Sequence, residues 1–356
     1  MMKNRNQSIE LLRVLAMFLI VVGHYCYHGI KSNPIHSDFY IDNLYDFIEW
    51  GGQELLWIVA SISVDCYVLI TGYFLADRIT FRWKGTLNVW LQTVFYTVVF
   101  TVVFAFQNNS ISIGDIVKAI SPIYSKSYWF VTQYVGLMLV APFLSLLLKT
   151  LSKRQYLILL TVGVLMCLQF LYGPIFAGTM SLPWFIYLYI TAGYIKMYGV
   201  PAFIDKHAGK IFWTLVFLFF FAVTCFNGIR LYYGAPFKLM SSANDGLMYF
   251  LSVCAFIAFR NMNISSNRIL CLIAEMAPYT FGVYLIHENP LLRQMGLWKI
   301  LIPDSFSIPM PLHCFLVALS LFMLCCAIDI IRTLLFKSLK VNTMCEAVTA
   351  RLPKSL

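Results

Sequence analysis

Strongly apolar stretches recur along the whole chain, each close to the roughly 20 residues that a helix needs to cross a bilayer. They fall at about 9–28, 55–76, 87–106, 129–148, 156–175, 183–199, 210–227, 244–260, 272–291 and 312–334. In hydrocarbon a backbone amide has no water to bond, so each stretch must satisfy its own N–H and C=O groups as a helix. Charged residues make up only 12% of the 356 residues, against about 25% in soluble chains, and the mean hydropathy is +0.76. The expected fold is all-α, a polytopic integral membrane protein of about ten transmembrane helices seated in the lipid bilayer. The ninth stretch is the least regular, because Pro278 and Pro290 interrupt it and Glu275 and Glu288 lie near its ends.

Basic residues set the orientation. With the N-terminus inside, the cytoplasmic segments hold Lys3 and Arg5, then Arg78, Arg82 and Lys84, then Lys149, Lys153 and Arg154. Further along they hold Lys196, Lys206 and Lys210, then Arg260 and Arg268, and finally Arg332, Lys337, Lys340, Arg351 and Lys354. The outer segments hold far fewer: Lys31, Lys118, Lys126, Arg230, Lys238, Arg293 and Lys299. That asymmetry is the positive-inside pattern, and it places both termini in the cytoplasm. The division expected is a membrane domain over 1–335 and a basic cytoplasmic tail over 336–356, lying against the inner leaflet.

The formal net charge of +10 comes from these short clusters and not from a basic surface, so no nucleic-acid partner is expected. Ten cysteines stand without a C-x-x-C pair, which indicates neither a disulfide framework nor a zinc site. Lys3 and Arg5 ahead of an apolar core resemble a signal peptide, but no small-x-small cleavage site follows, so a retained first helix is expected. Residues 29–54 carry Asp38, Asp42, Asp46 and Glu49 among Tyr45, Ile48 and Trp50. They read equally as an interfacial amphipathic helix, a cap over the outer mouth or a solvated loop. Residues 107–128 are polar and carry no motif.

Four places could carry chemistry. In the first stretch, Arg13 and His24 are eleven steps apart, about 16 Å along a helix axis and nearly on one face. Glu10, three residues before Arg13, shares that face and can pair with it. A lone His at the end of a helix is ordinarily a packing residue, but charge in line with it inside a membrane is costly enough to need a reason. His24 then suits a general base that takes a proton from a hydroxyl. His28 makes an H-x3-H pair with His24, but only the loop residue His36 offers a third ligand, so no metal is expected.

The second place is Asp65, a carboxylate inside an apolar stretch that implies a partner such as His24 or Arg13, for catalysis or for structure alone. Gly72, further along, allows close helix approach. The third is Tyr284, His287 and Glu288, at i, i+3 and i+4 on one face, with Pro290 ending the helix and leaving room for a cavity. The fourth, Arg78, Arg82 and Lys84, satisfies topology, and could also attract the phosphates of a cytoplasmic donor.

These residues together resemble the membrane-bound acyltransferase family 3. Its first-helix mark, an arginine, ten residues and a histidine, stands here as Arg13 and His24 after Ile9-Glu10-Leu11-Leu12. Its second-helix mark stands as Thr71-Gly72-Tyr73-Phe74-Leu75. The "WF" that opens a later helix is Tyr128-Trp129-Phe130, followed by Gly136-Leu137 and Ala141-Pro142, and the late "YLIH" is Tyr284-Leu285-Ile286-His287. The marks run in order over about residues 5–335.

The resemblance implies a multi-pass acyltransferase of a bacterial plasma membrane, and here an O-acetyltransferase. The donor would be acetyl-CoA, or another acyl-CoA, bound from the cytoplasm, and the acceptor a hydroxyl of a cell-surface polysaccharide or lipid-linked glycan. It implies His24 as the catalytic residue and Arg13 as its companion, with Asp65 or His287 orienting the histidine or acceptor. Arg13, Arg78 and Arg82 would face the coenzyme, and Glu10, Tyr73, Trp129, Tyr284 and Glu288 the substrates. Only Arg78, Arg82 and Lys84 stand where many members have a dense arginine run, and the fused extracytoplasmic domain of some members is not expected here. The alternative class, a transporter or flippase of a glycan precursor, would show an inverted repeat or a matched pair of broken helices, and neither is visible.

Overall fold

The computed structural model describes residues 6–32, 41–108, 110–167, 178, 181–235 and 246–353. His36, Asp38, Lys3, Arg5, Lys238 and Lys354 lie outside them. Every regular element among the described residues is helical. In order they are α1 (Gln7–His24), running on as a π-helical turn over Tyr25–Lys31, α2 (Leu44–Ser61), α3 (Ser63–Leu75), α4 (Trp83–Asn108) and α5 (Ile113–Ile120). Then come α6 (Trp129–Thr150), α7 (Lys153–Cys167), α8 (Leu182–Tyr198), α9 (Ala202–Tyr232), α10 (Gly246–Asn261) and α11 (Arg268–Ala274). A 3-10 turn over Ala277–Tyr279 leads into α12 (Thr280–His287), and α13 (Pro290–Gln294), α14 (Leu297–Leu301), α15 (Met310–Ser338) and α16 (Val341–Thr349) complete the chain.

Seven helical runs among the described residues are long and apolar enough to cross a membrane. The chain is a polytopic, all-α membrane protein, and each of the ten apolar stretches is mainly helical where it is described, with breaks at Ile62, at Glu275 and Met276, and at Glu288 and Asn289. α1 is the central element. It packs against α2, α3, α10, α11, α12 and α15, and Ile9, Val14, Met17, Val21 and Val22 are almost wholly buried. α3 lies closely along α8, because Gly72 has no side chain: a Cβ there would stand 2.9 Å from Tyr189 Cα and 2.9 Å from Ala192 Cβ. That is the small-residue packing that membrane helices use where lipid gives no hydrophobic drive to associate.

The structure departs from the hydropathy reading at polar ends. The second stretch begins at Leu44 and not near 55, because Asn43 caps it by accepting the Asp46 amide at 3.0 Å. So part of the 29–54 segment is neither a loop nor a separate surface helix but the start of a long apolar run. It breaks at Ile62, beside the Ser63 hydroxyl bonded back to the Ala60 carbonyl. The polar 107–128 segment holds α5, opened by a reciprocal bond pair between Ser112 and Asp115. The ninth stretch is divided at Pro278, which sits in the 3-10 turn.

Arg332, counted above with the inner loops, belongs to α15. Its guanidinium donates to Asp329 at 2.7 and 2.9 Å, and Gln92 and Tyr96 of α4 donate to the same carboxylate. Asp329 is fully buried, so this polar knot ties α4 to α15 within the bundle. The residues after 335 are not a plain tail: α15 continues to Ser338, and α16 packs on α4 through Lys84 and Glu346 at 2.5 Å. Beyond the end of α3, Asp77 meets Lys196 of α8 at 2.8 Å. Partial burial would raise the Asp77 pKa, but the Lys196 ammonium holds it below the usual carboxylate value.

Candidate active site

The two ends of α1 carry the polar residues that the sequence singled out. At its start, Asn6 caps the helix and Ser8 donates to the Met262 carbonyl at 2.5 Å. Arg13 Nη1 bonds Glu10 Oε2 at 2.6 Å, the pairing expected from their spacing. Glu10 is buried and borders a cavity of about 530 Å³ that Asn6, Gln7, Ser8, Asn263 and Glu275 also line.

At the other end α1 does not stop at His24 but widens into the π-helical turn, a local distortion common at functional sites. His24 Nδ1 lies 2.8 Å from His287 Nε2 and 3.3 Å from Glu288 Oε2. His28, one turn on, reaches the same Glu288 oxygen at 3.5 Å, and Arg293 Nη1 meets Glu288 Oε1 at 3.0 Å. Trp298 of α14 stacks on the His28 ring at 5.9 Å between centroids.

The bonding fixes the tautomers. The Val283 carbonyl only accepts, so His287 Nδ1, at 2.6 Å from it, carries the proton. His287 Nε2 is then an acceptor, and the His24 Nδ1–H donates to it, with the Glu288 carboxylate 3.3 Å away as a charge partner. The lone pair of His24 is left on Nε2, the arrangement of an imidazole held for proton transfer.

A backbone break places these groups. α12 ends on His287, Glu288 is its C-cap, and Asn289 starts α13 by accepting the Leu291 and Leu292 amides at 3.0 and 3.3 Å, with Pro290 in its first turn. Tyr128 pins the break from α6: its hydroxyl donates to the Leu285 carbonyl at 2.7 Å and accepts from Asn289 Nδ2 at 2.7 Å. So Pro290 does mark a discontinuity beside the site, as its position in the sequence implied.

Other expected partners are not brought together. Asp65 does not reach His24 or Arg13. It accepts from Trp184 Nε1 at 2.9 Å and Ser252 Oγ at 3.5 Å, which joins α3 to α8 and α10. Asp65→Asn keeps an acceptor for Trp184, so we expect turnover close to wild type in a transfer assay. A loss as deep as that of a His24 variant would restore a catalytic role for Asp65. Tyr73 packs on Phe256 at 5.3 Å, under the Lys196 ammonium, and Trp129 packs on Phe185 at 6.2 Å. Arg78 and Arg82 are exposed, and Arg82 borders a separate cavity of about 660 Å³ with Phe81, Trp83, Lys84 and Thr349.

His36, the third ligand that a site on His24 and His28 would need, lies outside the described residues. His24, His287 and Glu288 offer ligand atoms all within 4.8 Å of one another, the one such group among the described residues. These atoms could hold a small cation, but Arg293 already supplies Glu288 with a positive charge at 3.0 Å, which opposes a second one there.

Sequence reasoning overlooked Arg293, which it read only as an outer-loop charge, and Trp298 and Asn289. The Asn289-Pro290 pair was the available signal, as a cap and first-turn proline.

A family model described as "Acyltransferase domain" matches residues 6–332, nearly the whole chain. No match was found among curated proteins or solved structures. The matched span takes in both ends of α1 and the α12–α13 break, and the chain belongs to the acyltransferase 3 family of membrane acyltransferases.

Proposed function

We propose that the protein is an O-acetyltransferase, or transfers another acyl group, in the plasma membrane of a bacterium, with ten crossings and both termini inside. The donor is cytoplasmic acyl-CoA and the acceptor a hydroxyl of a cell-surface polysaccharide or lipid-linked glycan. One observation carries the reading: His24 Nδ1 bonds His287 Nε2 at 2.8 Å, with Glu288 3.3 Å away, so that Nε2 is the free basic nitrogen.

In this reaction His24 Nε2 takes the proton from the acceptor hydroxyl as its oxygen bonds the thioester carbonyl carbon. The C–S bond then breaks, and the imidazolium returns the proton to the departing thiolate. Glu288 lies close enough to stabilise the imidazolium, and Arg293 and His28 hold Glu288 in place. Arg13, which pairs with Glu10 beside the 530 Å³ cavity, would meet the donor at the other end of α1.

The test is purified protein in liposomes with radiolabelled acetyl-CoA and a polysaccharide or lipid-linked glycan acceptor. The reading expects label on the acceptor in step with free CoA released. Binding or movement of the glycan with no CoA released would favour the transporter class instead.

A further inference from the structure

Tyr284 is the buried polar group beside this site that the mechanism leaves unused. It is 3% exposed, and its hydroxyl has no hydrogen-bond partner among the described residues. Leaving a buried O–H without an acceptor is costly, so such a group next to a reacting histidine calls for an account. Its ring centroid lies 6.5 Å from His24, 6.2 Å from His287, 5.7 Å from Tyr128 and 5.6 Å from Phe130. It stands one turn before His287, on the face of α12 that points at α1.

The Tyr284 ring packs at the N-terminus of α6, against Tyr128 and Phe130. No side chain caps that helix, and the hydroxyl of its N-cap residue, Tyr128, donates to the Leu285 carbonyl. The Tyr284 O–H is left in need of an acceptor. The positive end of a 22-residue helix and a free O–H thus converge on one spot beside His24, where negative charge is favoured.

We infer that Tyr284 is a catalytic residue that donates a hydrogen bond to the thioester oxygen as it becomes an oxyanion. The inference rests on the acyl-transfer reading above. When the acceptor oxygen bonds the carbonyl carbon, the C=O electron pair moves onto that oxygen, and the Tyr284 O–H holds it without giving up its proton. As the C–S bond breaks, the carbonyl re-forms and the thiolate takes the proton that His24 carries. A donor aimed at charge present only in the transition state raises kcat and leaves ground-state binding alone.

Tyr284→Phe removes one oxygen and keeps the ring packing. We expect kcat to fall about 10²–10³-fold, the range for loss of one oxyanion donor, with KM for acyl-CoA and for acceptor unchanged. A merely structural hydroxyl would move KM and thermal stability in detergent instead, and that result would overturn the inference. Should the variant not fold, 3-fluorotyrosine at 284 keeps the ring and makes a stronger donor. A raised kcat then supports the inference, and an unchanged one sinks it. Wild-type kcat for Tyr284→Phe beside an inactive His24→Ala overturns the oxyanion role alone. Full activity in both variants removes the acyl-transfer reading and this inference with it.

Discussion

Replacing His24 with Ala is expected to lower acyl transfer by about 10²–10⁴-fold, the range for loss of a positioned general base. The variant should stay folded and in the membrane. The His24 side chain is 19% exposed at the end of α1, and the packing of that helix rests on Ile9, Val14, Met17 and Val21. The substitution removes the Nε2 lone pair and leaves His287 bonded to Val283. Size-exclusion behaviour and thermal stability in detergent check folding, and CoA release checks turnover. Wild-type turnover in a folded variant would remove the base from the mechanism. A base also predicts no acyl group on the protein when wild type is quenched with donor alone, whereas a histidine carrier predicts a labelled imidazole.

The second large effect is expected at Glu288, where four side chains meet. Glu288→Ala takes the carboxylate from Arg293, at 3.0 Å, and from His24 and His28, at 3.3 and 3.5 Å. Removing one partner of a buried ion pair costs about 3–5 kcal/mol, and the lower end applies here because the Arg293 side chain is 34% exposed. Losing the residue that steadies a catalytic imidazole lowers kcat by up to about 10⁴ in serine proteases. His287 still holds His24 Nδ1, so a smaller loss, about 10²-fold, is expected here. Thermal unfolding in detergent and kcat measured on the same preparation separate the two effects. A variant stable and fully active would mean that Glu288 neither holds Arg293 nor supports His24.

How far the sequence reached depends on the range of each interaction. Helical stretches are local, so hydropathy found them, and it erred where a cap decides the boundary, as at Asn43 and Ser112. Glu10 and Arg13 are three residues apart, and their pairing followed from helix geometry. His24 and His287 are separated by 263 positions, and no spacing rule joins them. Each was flagged alone by its polarity in an apolar stretch, and the fold supplied the contact. Asp65 shows the opposite case: the need for a partner was legible, but its identity was not, because an indole N–H and a serine hydroxyl satisfy a carboxylate without any charge to betray them. Arg293 was hidden by the topology rule, which counts a basic residue outside a span and asks nothing more of it. Tyr284 was placed on the right face, but its unpartnered hydroxyl is a property of packing and not of order along the chain.

The central claim is that α1 joins a donor site at Arg13 to a reacting site at His24 across the membrane. Sealed vesicles with the protein in one known orientation test it, when radiolabelled acetyl-CoA is supplied to one face and acceptor glycan to the other. Label should reach the glycan only when acetyl-CoA is on the face that holds the start of α1. Equal transfer from either face, or transfer only from the His24 face, would contradict the account.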